Sequence, residues 1–552
     1  MSLWKIYPKK DISQYKDLNL DEVILRILSN RNINPLEVPY FLEPNYLYDP
    51  FKFTGMDKAV LRIKKAEKNK EKIVVYGDYD VDGISATSIV WDFLYNKMHC
   101  NISPFIPSRF IEGYGLSSNK IKEFANEGVK LIITVDCGIR DVKNAKLAKD
   151  LGIDLIITDH HIISDPIPDS FVNIHPALGY NNPEICGAAV AYKLVTALSK
   201  GSKYNTDEYL DLVALATVCD VSKLIGENRA FIKKGLEIIN SKKREGIASL
   251  LEISNLDTVD VYHIGFVIGP KINASGRLND PIYSLRLLST KNKKASDNLA
   301  HKLDSFNLER QMMTKSAVEE AKLQLDDNNS FNIVQSDSWS EGIVGLIAGR
   351  ITEDTGKPTI ALTLNNEGVY VGSARSIEQF NIVNMLDEGK SLLIKYGGHE
   401  AAAGLQIKKE NIEKLRKYSN EYAKNIFKGK TMGKIIKIDY EINLNEVDFP
   451  LFYKINSLKP FGVGNPQPVF VIYSVMVMSA VNVGNSEKFV KIRLKDKDKE
   501  MFINAIWFNS IYTPKDLVKF SYVDILFNIN ENIWNNQREL QLKIVDLRPH
   551  AV

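Results

Sequence analysis

The sequence predicts an α/β protein: two α/β blocks joined by a long helix, followed by a small β-barrel. Three observations predict it. Short β-branched runs alternate with helical periodicity after residue ~60, a second block of the same kind opens near residue ~330, and from ~434 onward helices give way to about five strand-like runs. The 552 residues are enough for three or four domains of about 150 residues each.

Residues 1–60 are turn-rich (NRNINPLEVPYFLEPNYLYDP) and read as an irregular cap on the first α/β block. Residues 61–282 hold the runs KIVVYGD (72–78), KLIITVD (130–136), DLIITD (154–159) and FVNIH (171–175). Between the second and third, Ile139, Val142, Ala145, Ala148 and Leu151 recur at three-residue steps, which suits a crossover helix. Alternation of this kind implies a doubly wound parallel sheet. Residues 283–328 read as one long helix with Leu299, Leu303, Phe306, Met313 and Ala317 on one face. The second α/β block, 329–432, opens on FNIVQ (331–335) and contains Gly-rich turns. Residues 433–552 carry the strand-like runs, ending in ELQLKIVDL, and their count and size fit a Greek-key barrel such as an OB-fold.

Composition narrows the class. With 44% hydrophobic and 25% charged residues the chain is an ordinary globular one. Its 71 Lys and Arg against 68 Asp and Glu leave a net charge of +3, so any nucleic-acid track must come from local clustering. Residues 411–440 supply one: Lys414, Arg416, Lys417, Lys424, Lys428, Lys430, Lys434 and Lys437 against Glu413, Glu421 and Asp439. Cys100, Cys137, Cys186 and Cys219 lie far apart with no CxxC pair, which excludes a zinc ribbon or disulfide scaffold. No signal peptide opens the chain, and the most apolar stretch, Val469 to Val481, is too short to span a bilayer. A reducing cytoplasm is the expected location.

The chemistry lies where three predicted strands end in acid. Asp78, Asp80 and Asp82 follow the first, Asp136 ends the second, and Asp159, His160 and His161 end the third. The carboxyl ends of parallel strands line one crevice, so these groups converge. A lone Asp at a strand end usually caps the next helix. Three such ends together need a cation, because close carboxylates cannot all stay ionised without one. Oxygen ligands mixed with imidazole suit Mn²⁺ or Mg²⁺, and two ions about 3.5–4 Å apart would support in-line phosphoryl displacement. Asp220, after the apolar stretch 212–219, is a candidate further ligand.

GDYDVDG (77–83), VDCG (135–138) and TDHH (158–161) resemble the defining motifs of the DHH phosphoesterase superfamily. SGRLND (275–280), SARS (373–376) and YGGHEAAAG (396–404) resemble the companion motifs of its DHHA1 subfamily. Taken over the full length, the resemblance is to the branch that degrades single-stranded DNA from its 5′ end. It implies a metal set of Asp80, Asp82, Asp136, His160 and Asp220, with Asp78 an extra ligand, Asp136 bridging, Asp159 orienting an imidazole and His161 facing the phosphate. It also implies that His399 reaches the substrate phosphate and that Arg109, Ser373 and Arg375 hold a 5′-phosphate.

Arg277, in NASGRLND, is a further anion-binding candidate beside a Gly-rich turn. The resemblance implies a cleft between the two lobes that admits a single strand and excludes duplex; the barrel would then guide the strand, with the basic segment at its entrance. Phe502, Trp507, Phe508 and Trp534 read mostly as core, and FGVGNPQPVF (461–470) as a turn. The implied role is 5′→3′ exonuclease action releasing 5′-mononucleotides in DNA repair and recombination; a monomer is expected, with a single-strand-binding protein and a helicase as candidate partners. Two alternatives stand: a phosphodiesterase for short oligoribonucleotides or cyclic dinucleotides, and a non-catalytic DNA-binding scaffold.

Overall fold

The computed structural model describes residues 2–365, 367–428, 435–484, 488–534 and 537–550. The chain divides into two compact units, one of Met1–Leu47, Lys223–Ala230 and Gly433–Val552, the other of Tyr48–Ser222 and Phe231–Met432.

The second unit holds both α/β blocks. Its first sheet is wholly parallel, in the order Ile102–Phe105, Lys72–Tyr76, Val129–Val135, Asp154–Thr158, Val172–Ile174. The three acid-bearing strands are adjacent at its centre, so their carboxyl ends face one crevice. The edge strand Ile102–Phe105 contains Pro104, which an edge tolerates because one side needs no ladder. Ala145 and Ala148 of the Val142–Asp150 helix are buried, but Leu151 is 41% exposed because three-residue steps drift off a 3.6-residue face. The second sheet is mixed, in the order Leu393–His399, Ala402–Ile407, Tyr370–Arg375, Thr359–Leu364, Asn332–Gln335, with only its last pair parallel.

The segment read as one helix over 283–328 is two helices, Ile282–Ser289 and Lys293–Lys322. Thr290 is extended, and the Asn292 side chain accepts the Ala295 N–H at 2.9 Å, starting a new helix where the sequence shows an N-cap residue. The basic segment 411–440 is likewise no single element. Lys414, Arg416, Lys417 and Lys424 sit on the helix Ile412–Phe427, where Arg416 is tied to Glu413 and to the Ile333 carbonyl, whereas Lys437 belongs to a strand of the other unit. Lys430 and Lys434 lie outside the described residues.

In the first unit the strands Phe470–Asn482, Val490–Lys495, Phe502–Trp507, Gln537–Pro549 and Tyr522–Trp534 close into a barrel, the last pairing back to the first, with Tyr440–Glu441 added beside it. Of the residues read as an N-terminal cap, Met1–Leu47 belong to the barrel unit. Leu3–Ile6 pairs in parallel with Ile435–Ile438, and Ile24, Ile27 and Leu28 of the helix Glu22–Asn30 share one apolar core with Leu444, Phe470, Val523 and Leu542. Residues Tyr48–Ser222 belong to the other unit.

The turn 461–470 does more than reverse the chain. Asn465 donates to the Leu458 and Pro460 carbonyls, beside the fully buried Arg229, which donates four hydrogen bonds to the carbonyls of Phe41, Leu458, Lys459 and Pro460. Of the barrel aromatics, Trp507 is core, but Phe502 and Phe508 are 40% and 41% exposed under Arg493 and Lys543 respectively. The Trp534 side chain lies outside the described residues. The four cysteines are free, and among the described residues no helix is long and apolar enough to cross a membrane.

Candidate active site

Strand ends bring the acids together as the parallel sheet requires. Three groups of ligand atoms lie within 4.8 Å of one another: Asp78, Asp80 and Asp136; Asp82, His160 and Asp220; and Asp136, His160 and His161. Asp136 and His160 are each shared between two groups, so the clusters abut. His160 Nε2 lies 3.1 Å from Asp136 Oδ1 and 3.5 Å from Asp82 Oδ2, and His160 Nδ1 lies 3.9 Å from Asp220 Oδ2.

Local structure aims each side chain. Asp80 is also a helix cap, its Oδ1 accepting the N–H groups of Asp82 and Gly83, so one residue both caps the helix and stands in a candidate metal group. Asp82 is held by the N–H groups of Gly187 and Ala188 at the start of the helix Gly187–Ser199. A Cβ on Gly187 would fall 2.5 Å from Asp136 Oδ1, so glycine permits the close approach. Asp136 has φ of 63°, a left-handed backbone that Asp tolerates better than most residues. Asp220 closes the buried helix Leu210–Cys219 and accepts from Ser222 Oγ at 2.8 Å.

The donor set fits divalent ions. Asp78 Oδ1, Asp136 Oδ1 and His160 Nε2 are buried with no hydrogen-bond partner among the described residues, an arrangement that costs free energy unless a cation completes it. Burial and then the Asp80 charge push Asp78 well up, and burial with Asp82 does the same to Asp136. Burial, then Asp220, raises Asp82 to about 7. Asp220 is raised by burial.

These raised carboxyls leave a signature in stability. A carboxyl raised in the fold keeps its proton after the unfolded chain has lost its own. Folding of the metal-free protein therefore takes up protons between about pH 4 and the Asp82 value of about 7. Stability falls as pH rises through that window. Added Mn²⁺ displaces those protons, so calorimetry should show the gap in Tm between Mn²⁺-loaded and EDTA-treated protein widening from about pH 5 to about pH 8. A gap independent of pH would contradict the ligand set.

Asp159 takes another part. It is buried, and its Oδ1 accepts from the His160 and His161 N–H groups and lies 2.8 Å from His161 Nδ1, while Oδ2 accepts from Ile139. Burial works to raise Asp159, but the His161 contacts and the Ile139 N–H outweigh it and hold it at about 2. Burial works to lower His161, and Asp159 outweighs it to raise the imidazole to about 9. Tyr114 Oη lies 3.1 Å from the same Nδ1. His399, ending the strand Leu393–His399, is exposed and makes no hydrogen bond in this cluster. Burial and the charges of Arg140 and His161 lower it.

Beside the acids lies a group of guanidinium ions. Arg277 is lowered to about 10 by burial, then by Arg109 and Arg310, with Asp80 opposing and Arg375 adding to the shift. Its Nη1 donates to the Gly342 carbonyl. Arg109 lies 4.4 Å over the Tyr79 ring, and Arg375 Nη1 donates to Ser373 Oγ at 2.7 Å. The helix Val344–Thr355 packs against the strand carrying Ser373 and Arg375. The structure thus brings Arg109, Arg277, Ser373 and Arg375 to one side of the acidic cluster.

Three residues escaped sequence reasoning. Arg310 approaches from the Lys293–Lys322 helix with Asn307 accepting two of its hydrogen bonds, Asn273 Oδ1 accepts the Val81 N–H in the DYDVDG turn, and Tyr114 meets His161. Asn273 lies in NASGRLND beside the flagged Arg277, whereas Arg310 and Tyr114 carried no sequence signal.

Comparison with known proteins gives the same layout. Residues 72–217 match the DHH family N-terminal domain, 328–425 the DHHA1 domain and 438–546 the RecJ OB domain. The chain is 31% identical over 528 residues to the single-stranded-DNA-specific exonuclease RecJ of Salmonella typhimurium, covering 90% of each chain. It is 34% identical over 509 residues to RecJ of Bacillus subtilis, covering 90% of this chain and spanning 64% of that relative's length. The crystal structure of RecJ from Thermus thermophilus in complex with Mn²⁺ superposes with a TM-score of 0.87 at 26% identity, covering 100% of this chain and 80% of that one.

Proposed function

This chain belongs to the RecJ family of single-stranded-DNA-specific exonucleases, and we propose that it hydrolyses single-stranded DNA from the 5′ end, releasing 5′-mononucleotides. The observation that carries this reading is the pair of carboxylate clusters joined at Asp136 and His160, with guanidinium groups alongside. Asp78, Asp80 and Asp136 would hold one divalent ion and Asp82, Asp136, His160 and Asp220 a second. Bound Mn²⁺ or Mg²⁺ supplies an activated water and charge neutralisation for in-line displacement at phosphorus.

The chain's own groups do the rest. Asp159 fixes His161 through Nδ1, leaving Nε2 to donate to a phosphate oxygen. His399 approaches the same phosphate from the second block. Arg109, Ser373, Arg375 and Arg277 bind the 5′-terminal phosphate through charge-assisted hydrogen bonds. Because that pocket stands at a fixed distance from the metals, cleavage falls one nucleotide in. The barrel adds sequence-tolerant affinity for a long strand. The reading places the protein in the cytoplasm as a monomer acting in DNA repair and recombination, with a single-strand-binding protein and a helicase as partners.

Product analysis tests it. A 5′-labelled strand with Mn²⁺ should release its label as a mononucleotide at once, a 3′-labelled strand should shorten as a ladder, and EDTA should stop both. Cleavage confined to di- to pentanucleotides would move the substrate class to short oligonucleotides. Arg375→Ala should lower kcat/KM on 5′-phosphorylated strands by about 10- to 100-fold, as loss of a charged hydrogen bond predicts, and leave 5′-hydroxyl strands little changed. Equal loss on both would remove Arg375 from the terminal-phosphate pocket.

A further inference from the structure

Residues 261–278 form one helical run: Val261–His263, a π-helical segment Ile264–Ile268, and Gly269–Leu278. Ile264, Ile268 and Ile272 are buried, and a Cβ on Gly269 would fall 2.4 Å from Cys219 Sγ, so the run lies against the end of the helix that delivers Asp220. Its other side carries Tyr262 and Phe266, 59% and 72% exposed, with ring centroids 5.0 Å apart and planes at 29°.

Two aromatic rings this exposed and already stacked on each other are not core. Their positions tie them to the site. Residues 262 and 266 are about one turn apart, as are 273 and 277, and all four lie off the side that buries Ile264, Ile268 and Ile272. Asn273 accepts from Val81 in the metal-binding turn, and Arg277 sits among the guanidinium groups. One helical run therefore leads from the terminal-phosphate pocket, past the metal ligands, to a pair of bare rings.

We propose that Tyr262 and Phe266 form a stacking platform for bases of the single strand downstream of the scissile bond. This rests on the exonuclease reading and assigns it a further substrate contact. Eleven helical residues separate Phe266 from Arg277, about 16 Å, which is roughly five nucleotides at 3.4 Å stacking and fewer in an extended strand. Only a strand longer than a few nucleotides reaches the platform. Every base offers a π-face, so the contact is indifferent to sequence. Residues 256–270 contain no Lys or Arg, so the platform adds affinity without adding to the salt dependence that phosphate contacts bring.

The test uses the full chain. Binding of a 5′-phosphorylated trinucleotide and of a strand of about 20 nucleotides is measured in Ca²⁺, and steady-state kinetics on both in Mn²⁺. Tyr262→Ala with Phe266→Ala should weaken binding of the long strand by about 5- to 150-fold and raise its KM with kcat held. The slope of log affinity against log salt and all trinucleotide constants should stay put. Tyr262→Phe with Phe266→Trp should restore long-strand binding, and the leucine pair should not. Unchanged long-strand binding in the alanine pair, or a loss shared equally by the trinucleotide, would overturn the platform. A wild-type protein that binds the long strand and hydrolyses nothing would refute the exonuclease reading, with the length comparison still deciding the platform.

Discussion

Asp136→Asn lowers kcat/KM on single-stranded DNA by at least about 10³-fold, the cost of losing several kcal/mol of metal-borne charge stabilisation, while leaving the strand bound. Asp136 is the acid shared by two of the ligand clusters, so its loss would touch both where loss of Asp78 or Asp220 touches one. Asn suits the experiment better than Ala. The backbone at 136 is left-handed, which Asn adopts and Ala resists, so the change removes charge without straining the turn. The same substitution should raise the Tm of the EDTA-treated protein above that of EDTA-treated wild type. Burial and neighbouring carboxylates hold Asp136 far above its ordinary value, and a neutral amide there relieves the repulsion. Calorimetry and nuclease kinetics on one preparation check both halves. Turnover near the wild-type rate would remove Asp136 from the metal site.

Arg229→Ala destabilises the barrel unit by about 3 kcal/mol or more, the cost of stranding several buried carbonyls at about 1–3 kcal/mol each. The guanidinium is fully buried, its four carbonyl acceptors come from residue 41 and residues 458–460, and its Cζ lies 4.0 Å from the Phe41 ring centroid. Burial lowers it to about 10, so it stays charged at neutral pH. Lysine should rescue little, because its three donors do not reproduce a planar fork that serves four acceptors. Urea denaturation measures the loss. A change below about 0.5 kcal/mol, the scale of ordinary surface substitutions, would mean the carbonyls find water instead.

What the sequence made legible was whatever depends on local pattern. The strands at 72–76, 129–135 and 154–158 are β-branched runs stopped by acid, and a central parallel strand leaves no other reading. Ile102–Phe105 was missed because ISPF carries a proline and pairs on one side only. The break at 290–292 hid inside helical periodicity, although Asn292 is a normal cap. Arg310 and Asn273 look like ordinary helix residues until tertiary structure turns them to the site. Phe502 and Phe508 misled for the converse reason, since strand alternation alone does not say which face a barrel buries. The parallel pairing of Leu3–Ile6 with Ile435–Ile438 spans the chain, beyond the reach of any local signal.

That last pairing has a consequence in time. The barrel unit is written mostly in the two ends of the chain, with the short middle segment Lys223–Ala230, and the rest of the chain between them forms the other unit. Leu3 leaves the ribosome 432 residues ahead of its partner Ile435, roughly 20–90 s at about 5–20 residues per second. Throughout that interval Ile24, Ile27 and Leu28 have none of the barrel strands that later share their core. The catalytic unit can close while the N-terminal helix still waits, so the order of folding runs from the middle of the message outward. A fragment meant to carry the catalytic unit alone accordingly starts at Tyr48, because residues 1–47 without the last hundred or so bring only an uncovered apolar face.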